Sequence, residues 1–237
     1  MERSIDGYDF QKGEILLFAK ELDWTSFDLV RKLRNFLCRE TGIKKLKVGH
    51  AGTLDPKATG LMIVCTGKQT KNIDLLQAKE KEYIAHIKLG ATTPSFDLET
   101  AENETFPTDH LTLELIQTTL LRFMGEIDQV PPLFSAVKIE GKRAYLHARK
   151  GNDITLQPKK ITISELEVLN FSNEVIVLRI VCSKGTYIRS LARDLGIALN
   201  CGAYLVGLSR TRIGEMRLED AWDIINFLEK LKVNETN

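Results

Sequence analysis

The sequence predicts an α+β fold built on a largely antiparallel, mixed β-sheet with flanking helices. Three observations carry this. Residues 81–89 alternate strictly, with Tyr83, Ala85, Ile87 and Leu89 on one face and Ile84, His86 and Lys88 on the other, the period-two pattern of a strand buried on one side. Residues 160–171 and 174–183 are two strand-like runs separated by a turn around Ser172-Asn173, which reads as a hairpin. Helical segments are separated by hairpins and long excursions, not by the regular βαβ alternation that builds a parallel sheet.

The elements follow in order. Glu14–Ala19 is a short apolar run and reads as a buried strand. Thr25 or Ser26 can cap the next helix, in which Phe27, Val30, Leu33 and Leu37 recur at helical spacing. Residues 49–60 form a Gly-rich loop, and Leu61–Cys65 is a second buried strand. Residues 91–111 are polar, carry two prolines and read as an exposed excursion. Leu113, Ile116, Leu120 and Phe123 mark a helix that ends near Gly125. Val130-Pro131-Pro132 interrupts regular structure, since proline lacks the N–H that helix and sheet require. Residues 135–139 suit a strand turning at Glu140-Gly141 into a short basic helix. Ile188, Leu191, Leu195 and Ala198 mark a helix stopping near Gly202. Residues 203–213 are a last strand, and Ala221, Ile224, Ile225, Leu228 and Leu231 place a final helix over about residues 218–233.

The chain has 237 residues, enough for a substantial core. No repeat or composition break demands a second domain, so residues 1–237 read as one. The net charge is +1 but unevenly spread. Residues 31–47 hold Arg31, Lys32, Arg34, Arg39, Lys44, Lys45 and Lys47 against Glu40 alone, and residues 138–150 are also basic. Asp97, Glu99, Glu102 and Glu104 supply acid elsewhere. Charge alone reads first as solvated helix faces, though a segregated chain can still offer a basic surface to phosphates. Cys38, Cys65, Cys182 and Cys201 form no C-x-x-C pair. They fit a reduced, cytoplasmic protein without structural zinc. The N-terminus lacks the apolar core of a signal peptide, and no run reaches membrane-spanning length.

The most informative segment is Gly49-His50-Ala51-Gly52-Thr53-Leu54-Asp55-Pro56-Lys57-Ala58-Thr59-Gly60. Its glycines allow close backbone approach to a ligand. Pro56 biases Asp55 towards extended geometry. His50 can stack on a base or donate to a phosphate. Composition alone reads the segment as a structural turn, because Gly, Asp, Pro and Thr are turn formers.

The same twelve residues resemble the signature of the TruB family of pseudouridine synthases, G-H-x-G-T-L-D-P-x-A-T-G. Further segments agree in family order. Lys81-Glu82-Tyr83 resembles the K-x-Y strand, and Ser135-Ala136-Val137-Lys138 through Gly151 resembles the S-A-x-K…A-R-x-G segment. Cys182-Ser183-Lys184-Gly185-Thr186-Tyr187-Ile188-Arg189 resembles the strand-to-helix junction, and Cys201-Gly202-Ala203 with Leu208 and Arg210-Thr211 resembles the family's C-G-A…L-x-R-T ending. The resemblance runs from about residue 13 to about 217. It implies a pseudouridine synthase fold with RNA-binding loops.

The implied reaction is isomerisation of the uridine at position 55 of the tRNA T-loop. The N1–C1′ bond breaks, the flipped-out uracil turns, and C5 joins C1′. Base flipping costs a few kcal/mol. Nothing is oxidised or reduced, so no cofactor or metal is implied. Asp55 matches the catalytic aspartate, which can add to C1′, add to C6 or remove the C2′ proton. Tyr83 matches a tyrosine that packs on the uracil and can take the C5 proton, although on its own it reads as a core strand residue. Tyr187 and Arg189 match a pair beside the aspartate. Arg189 would keep Asp55 ionised, and its place at a helix start, unfavourable for a cation, points to a partner. Leu208 matches an apolar residue of the uracil pocket, and His50 is placed to prop the space the base leaves.

Lys20 matches a lysine that supports local geometry or binds phosphate. Its surroundings depart from the family's D-K-P-x-G-x-T-S, since here they read Ala19-Lys20-Glu21-Leu22-Asp23-Trp24-Thr25-Ser26. Ser209 also replaces a common arginine. The resemblance further implies an RNA-gripping insertion at about 130–152, a chain without the C-terminal PUA domain, and a monomer acting on the tRNA T-arm without an obligatory protein partner. The alternatives are a guide-RNA-dependent synthase, an RNA chaperone and a generic hydrolase using Asp55.

Overall fold

The computed structural model describes residues 7–133, 156–172 and 174–233, with the backbone alone of 138–139, 142–143 and 233. In chain order the strands are β1 (Ile15–Lys20), β2 (Val48–His50), β3 (Ala58–Thr66), β4 (Lys81–Leu89), β5 (Ala91–Thr92), β6 (Glu104–Thr105), β7 (Gly125–Gln129), β8 (Lys138–Ile139), β9 (Lys142–Arg143), β10 (Lys159–Ser172), β11 (Val175–Cys182), β12 (Ala203–Ile213) and β13 (Met216–Arg217). The α-helices are α1 (Ser26–Thr41), α2 (Ile73–Ala78), α3 (Leu113–Leu120), α4 (Ile188–Ala198) and α5 (Ile224–Val233). This is the α+β, mainly antiparallel architecture the alternating segments predict.

Contacts divide the chain into two compact units. One holds the described residues up to Lys81 together with those from Ser209 onward, and the other is Glu82–Leu208.

In the first unit β1 and β3 pair antiparallel, with Lys20 opposite Gly60, and β2 pairs with β3 through Val48–His50. Strand β3 is nearly all buried because both its faces are covered. Ala51, Leu61, Ile63, Cys65, Leu76 and Ile213 form its core. Phe18 of β1 meets Phe227 of α5 edge-on, and Trp222 lies tilted against the same ring. Helix α1 starts at Thr25, whose hydroxyl accepts from Asp28 N–H while the Asp28 carboxylate accepts from Thr25 N–H, a reciprocal cap. Gly42, at φ 67°, ends it. Its buried stripe is Leu29, Val30, Leu33, Phe36 and Leu37. Phe27, expected inside, is 65% exposed. The stripe's centre falls on Leu29 and Leu33, which turns position 27 outward under the Arg31 guanidinium.

In the second unit the hairpin β10–β11 forms as expected, with register shifts near Ile163 and Val168, and β7 pairs along β10's other edge. Strand β4 buries Tyr83, Ala85, Ile87 and Leu89. Two expectations change. The excursion over 91–111 is not wholly exposed, since Thr93, Ser95 and Asp97 are buried. Lys142–Arg143 pair back on Lys138–Ile139 as a short hairpin instead of opening a helix. The basic helix expected beyond and most of the 130–152 insertion lie outside the described residues. In the first unit, the expected helix over 218–233 is a 3-10 turn at Leu218–Asp220 followed by α5.

Replacing Thr25 with alanine removes one half of the α1 cap. We expect a loss of about 1 kcal/mol in unfolding free energy, read from the urea midpoint at unchanged slope. An unchanged midpoint would show that the cap contributes nothing.

Candidate functional site

The loop carrying Asp55 is tied down at each carbonyl from Gly52 to Pro56. Ser26 Oγ accepts from Leu54 N–H at 2.8 Å and donates to Leu54 O at 3.0 Å. Asp23 N–H donates to Pro56 O at 2.9 Å, and Ala58 N–H to Asp55 O at 3.0 Å. Two cations complete the frame. Lys20, only 2% exposed, donates from Nζ to the carbonyls of Glu21 and Trp24, both at 2.7 Å, and of Pro56 at 3.5 Å. Arg210, 1% exposed, donates to Leu61 O at 2.8 Å, Gly52 O at 3.1 Å and Thr53 O at 3.4 Å. Asp55 itself is half-buried in this frame.

Electrostatics follow from that burial. Desolvation pushes the Lys20 ammonium down to about 8, against the opposing pull of the Asp55 and Asp23 carboxylates, and the Arg210 charge adds to the fall. His50, at the end of β2 and half-buried, is lowered by burial first and by Arg210 as well, so it is neutral near pH 7.

The second unit brings Tyr187 and Arg189 together at the start of α4. Tyr187 has no side-chain cap of its own. The buried Gln129 amide brackets it instead, accepting from Tyr187 N–H at 2.8 Å and donating to Tyr187 O at 3.1 Å. Ser190 Oγ and an Arg193 guanidinium nitrogen both donate to Val130 O. Arg189 is buried, with Nε 3.5 Å from Asp97 Oδ2 and Nη1 3.4 Å from Ser95 O. Asp97 is turned inward by its own loop. Phe96 takes a left-handed φ of 61°, Leu205 N–H donates to Phe96 O, the Arg193 guanidinium lies over the Phe96 ring, and Glu99 N–H donates to Asp97 Oδ1. Tyr83 on β4 is buried, and Leu208 on the neighbouring β12 is half-buried.

The sequence-predicted residues therefore fall into two sets. Lys20, His50 and Asp55 belong to the first unit and Tyr83, Tyr187, Arg189 and Leu208 to the second. The sequence reading missed two residues. Asp97 was placed among surface acids, and the signal that could have singled it out is Arg189 at a helix start, which needs an acidic partner. Arg210 stood in a matched motif without a role. On α1, Arg31, Lys32 and Arg39 lie over the rings of Phe27, Trp24 and Phe36, while Arg34 donates to Leu46 O.

The Arg189–Asp97 pair generates a stability prediction. Asp97→Ala takes one carboxylate away from a buried guanidinium, and we expect a loss of about 3 kcal/mol in denaturant unfolding. A loss of less than about 1 kcal/mol, the range of exposed pairs, would show that the pair carries no such weight.

Comparison with known proteins places the chain in a family. Residues 39–188 match the family described as TruB family pseudouridylate synthase (N terminal domain). That span holds His50, Asp55, Tyr83 and Tyr187. A tRNA pseudouridine synthase B of Phocaeicola vulgatus is 57% identical over 227 residues, covering 96% of this chain and 97% of the relative. One of Parabacteroides distasonis is 58% identical over 225 residues, covering 94% and 96%. Among solved structures, a Cbf5-Nop10-Gar1 complex is similar with a TM-score of 0.69 and 27% identity, over 93% of this chain and 54% of the matched one. The chain thus spans about half the length of that structure's matched chain. No described helix is long and apolar enough to cross a membrane. With the family's profile matched across most of the chain and close relatives matched along nearly all of it, this chain belongs to the TruB family of pseudouridylate synthases.

Proposed function

We propose that the chain isomerises uridine to pseudouridine in tRNA, at position 55 of the T-loop, with Asp55 as the catalytic residue. The observation that carries this reading is the half-buried Asp55 carboxylate on a loop fixed through its own backbone, flanked by the buried cations Lys20 and Arg210. The 57% identity to a tRNA pseudouridine synthase B over nearly full length supports it.

In this reading the nucleotide leaves the stack before reaction, because a paired uridine hides C1′ and C6 from any carboxylate. Asp55 then acts at the sugar or the ring. The N1–C1′ bond breaks, the C5–C1′ bond forms, C5 gives up its proton and N1 gains one. Tyr83 and Leu208 hold the uracil, and Tyr83 can receive the C5 proton. Arg189, itself held by Asp97, supports the Asp55 charge. Tyr187 orders the start of α4, and His50, neutral, props the vacated position. Lys20 supports the loop through carbonyls, its ammonium being too buried to meet a phosphate. Cations on the exposed face of α1 and the basic residues of 138–150 bind the RNA backbone. The enzyme works in the cytoplasm as a monomer, as one domain, with no cofactor and no obligatory partner.

The fold likeness to Cbf5 carries a second reading, RNA-guided modification, which the much lower identity makes the weaker one. One assay tests both. Unmodified T-arm RNA tritiated at uracil C5 is incubated with the protein and label release is followed. Release without a guide supports the tRNA reading, and release only with a guide RNA overturns it.

Two further outcomes follow from the same assay. Asp55→Asn is expected to abolish release while RNA affinity is retained, and wild-type release by that variant would remove Asp55 from the chemistry. The pH dependence follows from Lys20. It is protonated below about 8 and supports Asp55 by charge, and deprotonation above that value withdraws the support. The single-turnover rate should therefore fall as pH rises through about 8. Lys20→Met should be slower and lack that limb. A limb unchanged in Lys20→Met would assign it to another group.

A further inference from the structure

Arg210 is among the largest fully buried side chains of the protein, and it is charged. Burying a guanidinium costs several kcal/mol unless good hydrogen bonds replace water. Its bonds all go to backbone carbonyls: Nη2 to Gly52, Nη1 to Thr53 and Nε to Leu61. Those carbonyls lie at the two ends of the segment that contains Asp55. The planar fork suits this work, since its donors sit at fixed angles that a lysine's single ammonium does not reproduce.

The glycines on either side fit the same arrangement. Gly60, at φ 110°, lies against the Arg210 backbone so closely that a Cβ there would collide with its N and O. Gly52, at φ 116°, would bring a Cβ to 3.5 Å from Nη1. The loop is therefore drawn onto one side chain at its neck. Lys20 stands opposite Gly60 on the other side of β3 and reaches Pro56 O from there. Arg210 is also close enough to Lys20 and His50 for its charge to lower both.

We infer that Arg210 is a positioning residue for the isomerisation: its guanidinium clasps both ends of the Asp55 loop and fixes where the carboxylate points. It touches no substrate, being closed to solvent. The inference rests on the reading of Asp55 as the catalytic residue. A misplacement of about 1 Å at a reacting group can cost about a hundredfold in rate, so a clasp of this kind acts on turnover and leaves RNA binding alone.

The test uses the full chain with Arg210→Gln and Arg210→Lys, and Asp55→Asn as the control. Single-turnover tritium release at saturating T-arm RNA, RNA affinity, melting temperature and the rate's pH profile are measured for each. Arg210→Gln is expected to lose about a hundredfold in rate with RNA affinity unchanged. Removing a neighbouring cation raises the affinity of Lys20 for its proton, so the alkaline limb should move to higher pH. Arg210→Lys, which keeps the charge but not the fork, should hold the limb near its wild-type place and recover only part of the rate. If Arg210→Gln does not fold, Arg210→Lys with its intact charge decides the matter by rate against affinity. A wild-type rate in either folded variant overturns the inference. So does a defect confined to RNA affinity, or one that matches the unfolded fraction at the assay temperature. Turnover by Asp55→Asn would instead overturn the reading beneath it, whatever the Arg210 variants do.

Discussion

The first unit is organised around a demand for hydrogen-bond donors. The loop between β2 and β3 leaves the carbonyls from Gly52 to Pro56 outside any strand, and a half-buried carbonyl without a donor is costly. The protein meets this with donors from side chains outside the loop: the Ser26 hydroxyl to Leu54 O, the Lys20 ammonium to Pro56 O and the Arg210 guanidinium to Gly52 O and Thr53 O. Neutral donors would have satisfied the carbonyls. Using two cations does more, because it places positive charge against the segment that holds an acid and that must accept an anionic polymer. The same bonds that order the loop set positive charge beside it.

The second unit meets a related problem from the opposite side. Arg189 sits in the first turn of α4, where the exposed N–H groups already repel a cation. Asp97 compensates, but only because its own loop bends back, with Phe96 in a left-handed conformation that few non-glycine residues adopt. The Arg193 guanidinium over the Phe96 ring and the Leu205 N–H on its carbonyl hold that bend. A buried ion pair is weak evidence of stability, but its charge-assisted contact helps fix the geometry of both side chains. Gln129 brackets the Tyr187 backbone at the helix start, so Arg189 two residues on is positioned from that side as well.

Much of this was legible in the sequence, and the limits have physical causes. Strand β4 and the β10–β11 hairpin announce themselves because one-sided burial leaves a period of two. The α1 cap is legible because Thr and Asp three residues apart can satisfy each other locally. Phe27 misled because helical spacing gives a period but not its phase, and the stripe is centred on Leu29 and Leu33. Asp97 was hidden for a stronger reason. It lies in a polar stretch that reads as solvent-exposed, and its burial depends on an arginine 92 positions further along the chain. Arg210 shows the same limit: a guanidinium that bonds only to backbone leaves no complementary residue to find in the sequence.

The departure from the family's D-K-P-x-G-x-T-S at residues 19–26 can now be understood position by position. The glycine of that pattern falls on Asp23, and Asp23 has a φ of 64°, the left-handed region where glycine is at ease. Aspartate is among the few other residues that enter it at modest cost. The backbone turn is therefore kept although the glycine is not, and it aims the Asp23 N–H at Pro56 O. The Lys57–Asp23 ion pair is largely exposed and adds little, so the carboxyl group is tolerated at this position more than it is needed. Glu21, in place of proline, still contributes through its carbonyl to Lys20. The carbonyls of Glu21, Trp24 and Pro56 converge on the Lys20 ammonium, so the backbone turn at residues 19–26 and the Lys20 side chain together hold this edge of the Asp55 loop.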